Sequence, residues 1–422
     1  MYEIYLINNN EKHIINAIST DINAPRLVDG NIKHGINTID RFSFKITPSN
    51  INYSNIYSFT TLVEVFNTKT SVLEFKGRVL VPVESMESSG ELFKNVVCES
   101  ELGYLMDSST VYGEYHNISV KDFLKVIIDN HNNQVSEDKR FMLGNVTVKD
   151  NNDSLYRFLG YTKTFNAIKE KLINRLGGEL QIRYENGIRY LDYLGSIGSF
   201  KKTEIRLAKN LETIEEEKDP TNIISRLIPL GAKLKDSDKR LTIESVNNGI
   251  KYIDDIEAID EFGIIVDSIS WDNVNEPSNL LRKGKEYLEA NNKIKNKIKI
   301  TALDLSIIGL DVDSFEVGNT YKIINPIMNI NEELRVIEKS IDIYNYQNST
   351  LTLGERFEDI KQYQLGIVKA NKNIQTLNEN VNSTIDVVKT ISTESKNTAK
   401  VLNKTNEVLT NTNQTVKDLT DA

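Results

Sequence analysis

The last segment of the chain, residues 366–422, carries the pattern that most restricts what it can fold into. After Gly366 it contains no proline, glycine or aromatic residue, and asparagine, threonine and lysine are frequent. Seven of the eight positions spaced seven apart from Ile367 to Val416 are nevertheless apolar. The positions three residues after each of these form the second half of the repeat, and they are either apolar or threonine. The large apolar members of this seam are Ile367, Ile374, Leu377, Val381, Val388, Ile391, Leu402, Leu409, Val416 and Leu419.

A heptad repeat of this kind predicts an α-helical coiled coil of about eight heptads, roughly 80 Å long. β-Branched residues occur in both seam positions, which favours a trimer over a dimer. Threonine at several of the second positions weakens the seam. A solvated low-complexity linker is the alternative interpretation of the same composition. We therefore expect residues 366–422 to form a trimeric coiled coil.

Residues 1–105 show a different pattern, in which apolar and polar residues alternate. The alternation runs through YEIYLI, RFSFKI, LVEVFN and EFKGRVLVPVESM, with turn-forming stretches such as NAPRLVDG and ESSGE between the runs. A period of two is typical of strands with one buried face, and short strands at close spacing suggest a small barrel. Cys98 lies in one of these runs, where we expect a packed core thiol.

Residues 106–205 predict an α+β domain. Ser119 is placed to cap a helix through VKDFLKVIIDNHN, and a second helix through FNAIKEKLINRL is expected to stop at Gly177-Gly178. The strands GELQIRYE and GIRYLDYL follow, joined by Asn186-Gly187, which is a strong signal for a β-hairpin.

The remaining globular part predicts a second β-domain interrupted by an insertion. Residues 206–235 and 295–360 contain strand-like runs such as NIISRLIPLGA and NKIKITALDL. Between them, residues 236–294 are mixed, with a short acidic helix near DDIEAIDEFG and a longer helix in PSNLLRKGKEYLEANNK. The predicted architecture is multidomain α+β: two small β-barrel domains, intervening α/β domains and a C-terminal coiled-coil helix.

Charge and cysteine content exclude several classes of protein. The net charge of −9 argues against a protein that grips duplex DNA through its phosphates. A single cysteine excludes an intramolecular disulfide and a cysteine-based zinc cluster. The N-terminal residues lack the apolar stretch of a secretory signal, and no apolar run is long enough to predict a membrane span. We expect synthesis in the cytoplasm.

The sequence contains no recognisable catalytic motif. The four histidines, His13, His34, His116 and His131, are scattered and show no metal-ligand spacing. Neither a nucleophile elbow nor a phosphate-binding loop is present. The acidic run containing Asp254 and Asp255 is interpreted as a solvated helix face rather than as paired acid and base. The prediction is a protein without enzymatic activity, cofactor or metal.

Five motifs, in order along residues 1–360, resemble the N-terminal region of phage minor structural proteins, the family also called prophage tail endopeptidase or tail-associated lysin. They are NTIDRFSFKITPSN, LYRFLGYTKTFNAIKEKLINRLGGELQIRYENGIRYLDYL, NIISRLIPLGA, YIDDIEAIDEFG, and FEVGNTYKII followed by STLTLGERF. The family is similar in fold to the central hub protein of contractile phage baseplates. The resemblance implies two small β-barrels per chain and three chains per hub, so that six barrels match a sixfold tail tube.

The resemblance also implies a location at the distal tip or baseplate of a virion tail. Expected partners are two further copies of the chain, the tail tube or distal tail protein, the tape measure protein, peripheral baseplate or fibre proteins, and DNA that passes without specific binding. Lytic members of the family carry a peptidase or lysozyme-like domain, and no residue here matches a peptidase motif. A cell-wall endopeptidase and a receptor-binding tail fibre remain the alternatives.

Overall fold

The computed structural model describes residues 2–150, 157–220, 223–234, 239–272, 274–305, 310–311, 313–354, 398, 400–414 and 416–417. The chain divides into two compact units, Met1–Arg356 and Phe357–Ala422. Within the described residues, no helix is both long and apolar enough to cross a membrane.

The first β-domain consists of antiparallel strands with alternating burial. Its strands are β1 (Tyr2–Asn8), β2 (Glu11–Asn16), β3 (Asp29–Gly35), β4 (Arg41–Ile46), β5 (Leu62–Asn67), β6 (Val72–Met86) and β7 (Leu92–Ser100). They pair in the order β2-β1-β5-β6-β7-β4-β3. In β1, Tyr2, Ile4 and Leu6 are buried while the residues between them are partly exposed, so the predicted alternation is confirmed. The Cys98 thiol is fully buried in the same core, as expected.

Asparagine side chains connect the two ends of this strand order. Strands β2 and β3 do not pair with each other among the described residues. At the end of β2, the Oδ1 of Asn16 accepts a hydrogen bond from the backbone N–H of Leu27, at 3.2 Å. Asn50 donates to the carbonyls of both Ile15 and Arg26. Side chains thus satisfy backbone groups where the strand ladder stops, and the described strands do not close into a ring.

The second domain is α+β. Its elements are a 3-10 helix (Glu101–Met106), β8 (Gly113–Tyr115), α1 (Val120–Asn132), a 3-10 turn (Glu137–Lys139), β9 (Met142–Val146), β10 (Arg157–Leu159), α2 (Thr164–Ile168), a π-helical turn (Lys169–Ile173), α3 (Asn174–Leu176), β11 (Glu179–Glu185) and β12 (Ile188–Leu194). Strands β11, β12 and β9 form one sheet, and β10 pairs with β8. The buried face of α1 packs in a separate hydrophobic core.

Local signals in this domain predicted the structure correctly. The Ser119 side chain accepts a hydrogen bond from the backbone N–H of Asp122 at the start of α1. The second helix ends at Gly177, which has a positive φ of 69°. Asn186 and Gly187 have φ values of 51° and 78°, as a type I′ turn requires, and the hairpin β11–β12 forms around them.

The second β-domain is built from strands on both sides of an insertion. They are β13 (Phe200–Arg206), β14 (Leu211–Asp219), β18 (Lys295–Ala302), β19 (Thr320–Asn325), β20 (Ile330–Asp342) and β21 (Thr350–Gly354), with a 3-10 turn at Tyr346–Asn348. The order is β14-β18-β21-β20-β19-β13. We expected residues up to 205 in the α+β domain, but β13 pairs in parallel with β19. The alternation of apolar and polar residues along a strand predicts which face is buried, but it does not predict which sheet the strand joins.

The long strand β20 joins the two β-domains into one sheet. Residues 330–335 pair with β19, and residues 336–340 pair with β21. Residues 338–342 then pair antiparallel with residues 31–35 of β3 in the first β-domain. The backbone ladder therefore continues from one β-domain into the other.

The insertion begins earlier than predicted. It contains β15 (Arg226–Leu230), a 3-10 turn (Glu244–Val246), β16 (Ile253–Asp254), α4 (Ile256–Phe262), β17 (Val266–Ser270) and α5 (Pro277–Asn291). We expected the run NIISRLIPLGA, which holds β15, in the second β-domain. Instead β15 pairs with β16 and β17 in a separate sheet. Leu227 on β15 packs in one cluster with Leu288 of α5, which explains its apolar pattern without the large sheet. The two predicted helices, α4 and α5, are confirmed.

In the C-terminal unit, residues 398, 400–414 and 416–417 are α-helical. The seam residues Leu402, Leu409 and Val416 are each more than half exposed in the single chain. The other predicted seam residues, Ile367, Ile374, Leu377, Val381, Val388, Ile391 and Leu419, lie outside the described residues. The coiled coil therefore stays a prediction. The predicted mixed α+β class is confirmed for the globular unit, in which most of the sheet is antiparallel. The two predicted β-barrels are not confirmed, because the described strands of the large sheet do not close into a barrel.

Candidate functional site

A buried hydrogen-bonded chain of Ser108, His131 and Thr164 resembles part of a hydrolase site. The Ser108 Oγ lies 2.6 Å from His131 Nδ1 and 2.6 Å from Thr164 Oγ1. The His131 Nε2 lies 3.1 Å from the carbonyl oxygen of Lys139, which can only accept. The proton of a neutral imidazole is therefore on Nε2, and Nδ1 accepts from the Ser108 hydroxyl. A serine paired with a histidine base is a known arrangement for nucleophilic catalysis.

The burial of Ser108, His131 and Thr164 indicates that their hydrogen bonds have a structural role instead. Ser108 is 2% exposed, and His131 and Thr164 are fully buried, so a substrate carbonyl cannot reach the hydroxyl. Burial also lowers the pKa of His131, which keeps the imidazole neutral near pH 7. The backbone N–H of Thr164 donates to the Ser108 carbonyl as well. These bonds tie the end of α1 to the start of α2. The sequence offered no spacing that would have linked these residues.

The acidic residues and the cysteine that the sequence analysis considered as catalytic candidates also have structural roles. We expected Asp254 on a solvated helix face, and this was wrong. Asp254 lies on β16, where its two carboxylate oxygens accept hydrogen bonds from Arg226 at 2.7 and 2.8 Å. Asp255 caps α4 by accepting from the backbone N–H of Ala258, and this bond lowers the pKa of its carboxyl group. Burial raises the pKa of the Cys98 thiol and keeps it protonated. Across the described residues, no group of three or more His, Cys, Asp or Glu is arranged to hold a metal ion.

Clusters of ion-paired side chains lie at the interfaces between domains. Arg78 on β6 is 1% exposed, and it lies between the carboxylates of Glu99 and Asp107 at distances of 2.6–2.9 Å. Lys139 donates to Asp107 at 2.9 Å. Burial alone would raise the pKa of Asp107, but the hydrogen bonds from Arg78 and Lys139 lower it overall. The cluster joins the first β-domain to the α+β domain.

A groove of about 800 Å³ opens above this cluster, and we refer to it as the Arg78 groove. Its apolar lining is contributed by Ile39, Phe59, Leu80, Met106 and Val135, and its polar lining includes Glu99, Asp107, Ser136, Lys139 and Lys163. Three cationic and two anionic side chains therefore line the groove. Among the described residues, no carboxylate oxygen forms an ion pair with Lys163, which is exposed at the rim. The groove is apolar with a surplus positive charge.

A second cluster joins the α+β domain to the second β-domain. The Arg335 guanidinium on β20 donates to both oxygens of Glu179 on β11, at 2.5 and 2.6 Å. It also donates to the carbonyls of Gly318, at 2.8 Å, and Ile197, at 2.7 Å. The backbone N–H of Ile197 in turn donates to Glu179 Oε2 at 2.7 Å. We call this set of bonds the Glu179–Arg335 clamp.

Asn37 supplies a third tie, between the first β-domain and the α+β domain. Its Nδ2 donates to the Gly178 carbonyl, and its Oδ1 accepts from the backbone N–H of Leu180, both at 2.9 Å. The buried Glu101 carboxylate accepts from Arg189 at 2.5 Å and from the Tyr184 hydroxyl. The Asn37 bonds hold the first β-domain against the α+β domain, and the Glu101 bonds lie within the α+β domain.

Comparison with known proteins relates this architecture to phage tails. Residues 200–364 match the family model described as Prophage endopeptidase tail. The matched range begins at β13, the first strand of the second β-domain. The resemblance indicated by the sequence motifs is therefore confirmed. A comparison with curated proteins finds no match.

Solved structures extend the likeness over most of the chain. The prophage tail protein gp18 from Listeria monocytogenes EGD-e is 12% identical with a TM-score of 0.54, covering 88% of this chain and 99% of that one. The 43 kDa tail protein of prophage MuSo2 from Shewanella oneidensis is 12% identical with a TM-score of 0.59, covering 84% and 98%. The tail protein from Neisseria meningitidis MC58 is 13% identical with a TM-score of 0.55, covering 84% and 96%. At these identities the likeness shows a shared fold.

Proposed function

We propose that this chain is a structural protein of a phage or phage-like tail, and that three copies form the hub at its distal tip or baseplate. One observation carries the proposal: the fold is shared with two prophage tail proteins and a further tail protein over 84–88% of the chain. The match of residues 200–364 to a prophage tail family supports the same conclusion.

The geometry suits a part that bears load. Strand β20 pairs with β21 and with β3, so one backbone ladder spans both β-domains. The Glu179–Arg335 clamp and Asn37 hold the α+β domain against them. In the proposed hub the β-domains act as barrel-like units, and three chains place six of them in a ring that continues and closes a sixfold tail tube.

The proposed partners follow from that position. The tail tube or distal tail protein lies above the ring, the tape measure protein and DNA pass through or are held above it, and peripheral baseplate or fibre proteins bind below. The chain carries 60 acidic and 51 basic residues. Since a cationic channel would retain phosphate, we expect a neutral or acidic lining that lets DNA pass during ejection. An assembled structure whose narrowest ring is formed by Lys and Arg from residues 1–105 or 295–358 would contradict this expectation.

In this proposal the chain has no catalytic role, cofactor or metal. The Ser108–His131 pair is too deeply buried to attack a substrate. The chain is made in the host cytoplasm and functions in the virion tail.

The trimer is tested by measuring mass in solution by light scattering, for the full chain and for a chain ending at residue 365. The full chain is expected to be a trimer. The shortened chain is expected to associate more weakly and to keep the circular dichroism spectrum of its β-rich part. A dimer from the full chain would overturn the trimer.

The location is tested by electron microscopy of particles that carry a tagged chain, with the tag expected at the distal end of the tail.

A further inference from the structure

The hairpin formed by β6 and β7 extends beyond the core of the first β-domain. Strand β6 is 15 residues long, and its pairing with β7 continues to the pair Met86 and Leu92. One side of the hairpin is held down, because the Tyr53 hydroxyl donates to Glu84 at 2.7 Å and Lys94 donates to the Tyr53 carbonyl at 2.9 Å. The hairpin is therefore a fixed projection.

An irregularity in the strand turns apolar side chains outward. Val79 pairs with Cys98 and Val81 pairs with Val97, so Leu80 is an extra residue on β6. A shift of one residue exchanges the two faces of a strand. Val79 is fully buried in the core, whereas Val81 and Val83 point to solvent and are 46% and 49% exposed.

The tip of the hairpin is both apolar and acidic. Met86 and Leu92 are 69% and 42% exposed. Between Val79 and Phe93 the sequence contains three glutamates, Glu84, Glu87 and Glu91, and no basic residue. All three glutamates are exposed, but Lys94 lies 3.9 Å from Glu84 and Lys45 lies 3.3 Å from Glu87. The surplus negative charge of the tip is therefore that of Glu91. This combination of charge and apolar surface complements the Arg78 groove, which is apolar and carries the surplus cation Lys163.

We propose that the hairpin tip of one copy docks into the Arg78 groove of a second copy of this chain, with Met86 and Leu92 against the apolar wall and Glu91 near Lys163. Each chain carries both halves of this contact, and the halves are different surfaces. Such a head-to-tail contact closes into a ring when the rotation between copies is suitable, and a threefold rotation gives a trimer. The inference rests on the proposed trimer and assigns it a contact outside the coiled coil.

Cysteine cross-linking of the full chain tests the contact. The double variant Met86→Cys and Ser136→Cys places one thiol at the hairpin tip and one at the groove rim, while the buried Cys98 does not compete. We expect a short bis-maleimide to produce covalent dimers and trimers on a denaturing gel. The matched control is Leu73→Cys with Ser136→Cys, because Leu73 is 43% exposed at the other end of the same strand. The control is expected to stay mostly monomeric.

Light scattering on the same samples separates the two hypotheses. A trimer whose double variant cross-links no more than the control overturns the docking contact and leaves the proposed hub standing. A monomer overturns both. As a second measurement, Lys163→Glu is expected to lower the cross-linking yield at least several-fold, and adding Glu91→Lys is expected to restore part of it. An unchanged yield in Lys163→Glu would contradict the assigned charge pairing.

Discussion

Glu179 and Arg335 are 156 positions apart in the chain, yet they form a two-bond ion pair between different domains. Glu179 is 8% exposed, and Arg335 also donates hydrogen bonds to two backbone carbonyls. Removing one partner of such a pair leaves a poorly solvated charge without compensation.

Arg335→Ala is therefore expected to reduce the free energy of unfolding by about 3 kcal/mol. Thermal unfolding followed by circular dichroism measures the loss. The control is Arg282→Ala, which removes an exposed pair with Glu286 on α5 and is expected to change stability by less than about 0.5 kcal/mol. Equal losses in the two variants would show that the clamp does not stabilise the fold.

Gly198 lies beside the clamp, where the backbone approaches Gly318 closely. Its φ is +79°, and an added Cβ would lie 2.3 Å from the Gly318 carbonyl carbon. Gly187 has nearly the same φ, +78°, with nothing within 4 Å of an added Cβ. Gly187→Ala is expected to cost about 1–2 kcal/mol for the left-handed backbone alone. Gly198→Ala is expected to cost roughly 2 kcal/mol more because of the clash. Denaturant unfolding of both variants gives the difference, and matching losses would exclude the close approach.

Acidification is expected to destabilise the α+β domain through His131. Burial lowers the pKa of His131 in the folded chain below its value in the unfolded chain. The unfolded chain therefore binds more protons, and the stabilisation, complete above about pH 6.5, is lost as the pH falls toward the folded pKa. Melting temperatures between pH 7.5 and 5 should fall less in His131→Gln than in the native chain. His116→Gln, which replaces a histidine at an exposed position, is measured over the same pH range as the control.

The purified chain is expected not to digest cell walls. Zymography on peptidoglycan from the host is the measurement, with a lysozyme lane as the positive control. Any clearing that disappears in Ser108→Ala but persists in Ser109→Ala would show that the buried Ser108–His131 pair becomes accessible, contrary to its assigned role.

Local signals in the sequence predicted much of the structure. The Ser119 cap, the Gly177 helix end and the Asn186-Gly187 turn act over a few residues, and each formed where the residue types require it. The sheet membership of β13 and β15 was predicted wrongly, because alternation identifies a buried face and not a pairing partner. The Glu179–Arg335 clamp and the Ser108–His131 bond join distant positions, for which a single sequence provides no signal.

Strand β20 also determines how the molecule responds to force. Its last residues run antiparallel to β3, so a pull that separates the two β-domains along the strand axis would load several backbone hydrogen bonds at once rather than one after another. Bonds loaded together resist sliding far better than bonds that open in sequence. A chain built in this way behaves as a stiff mechanical link, and a rotation applied to one β-domain is transmitted directly to the other.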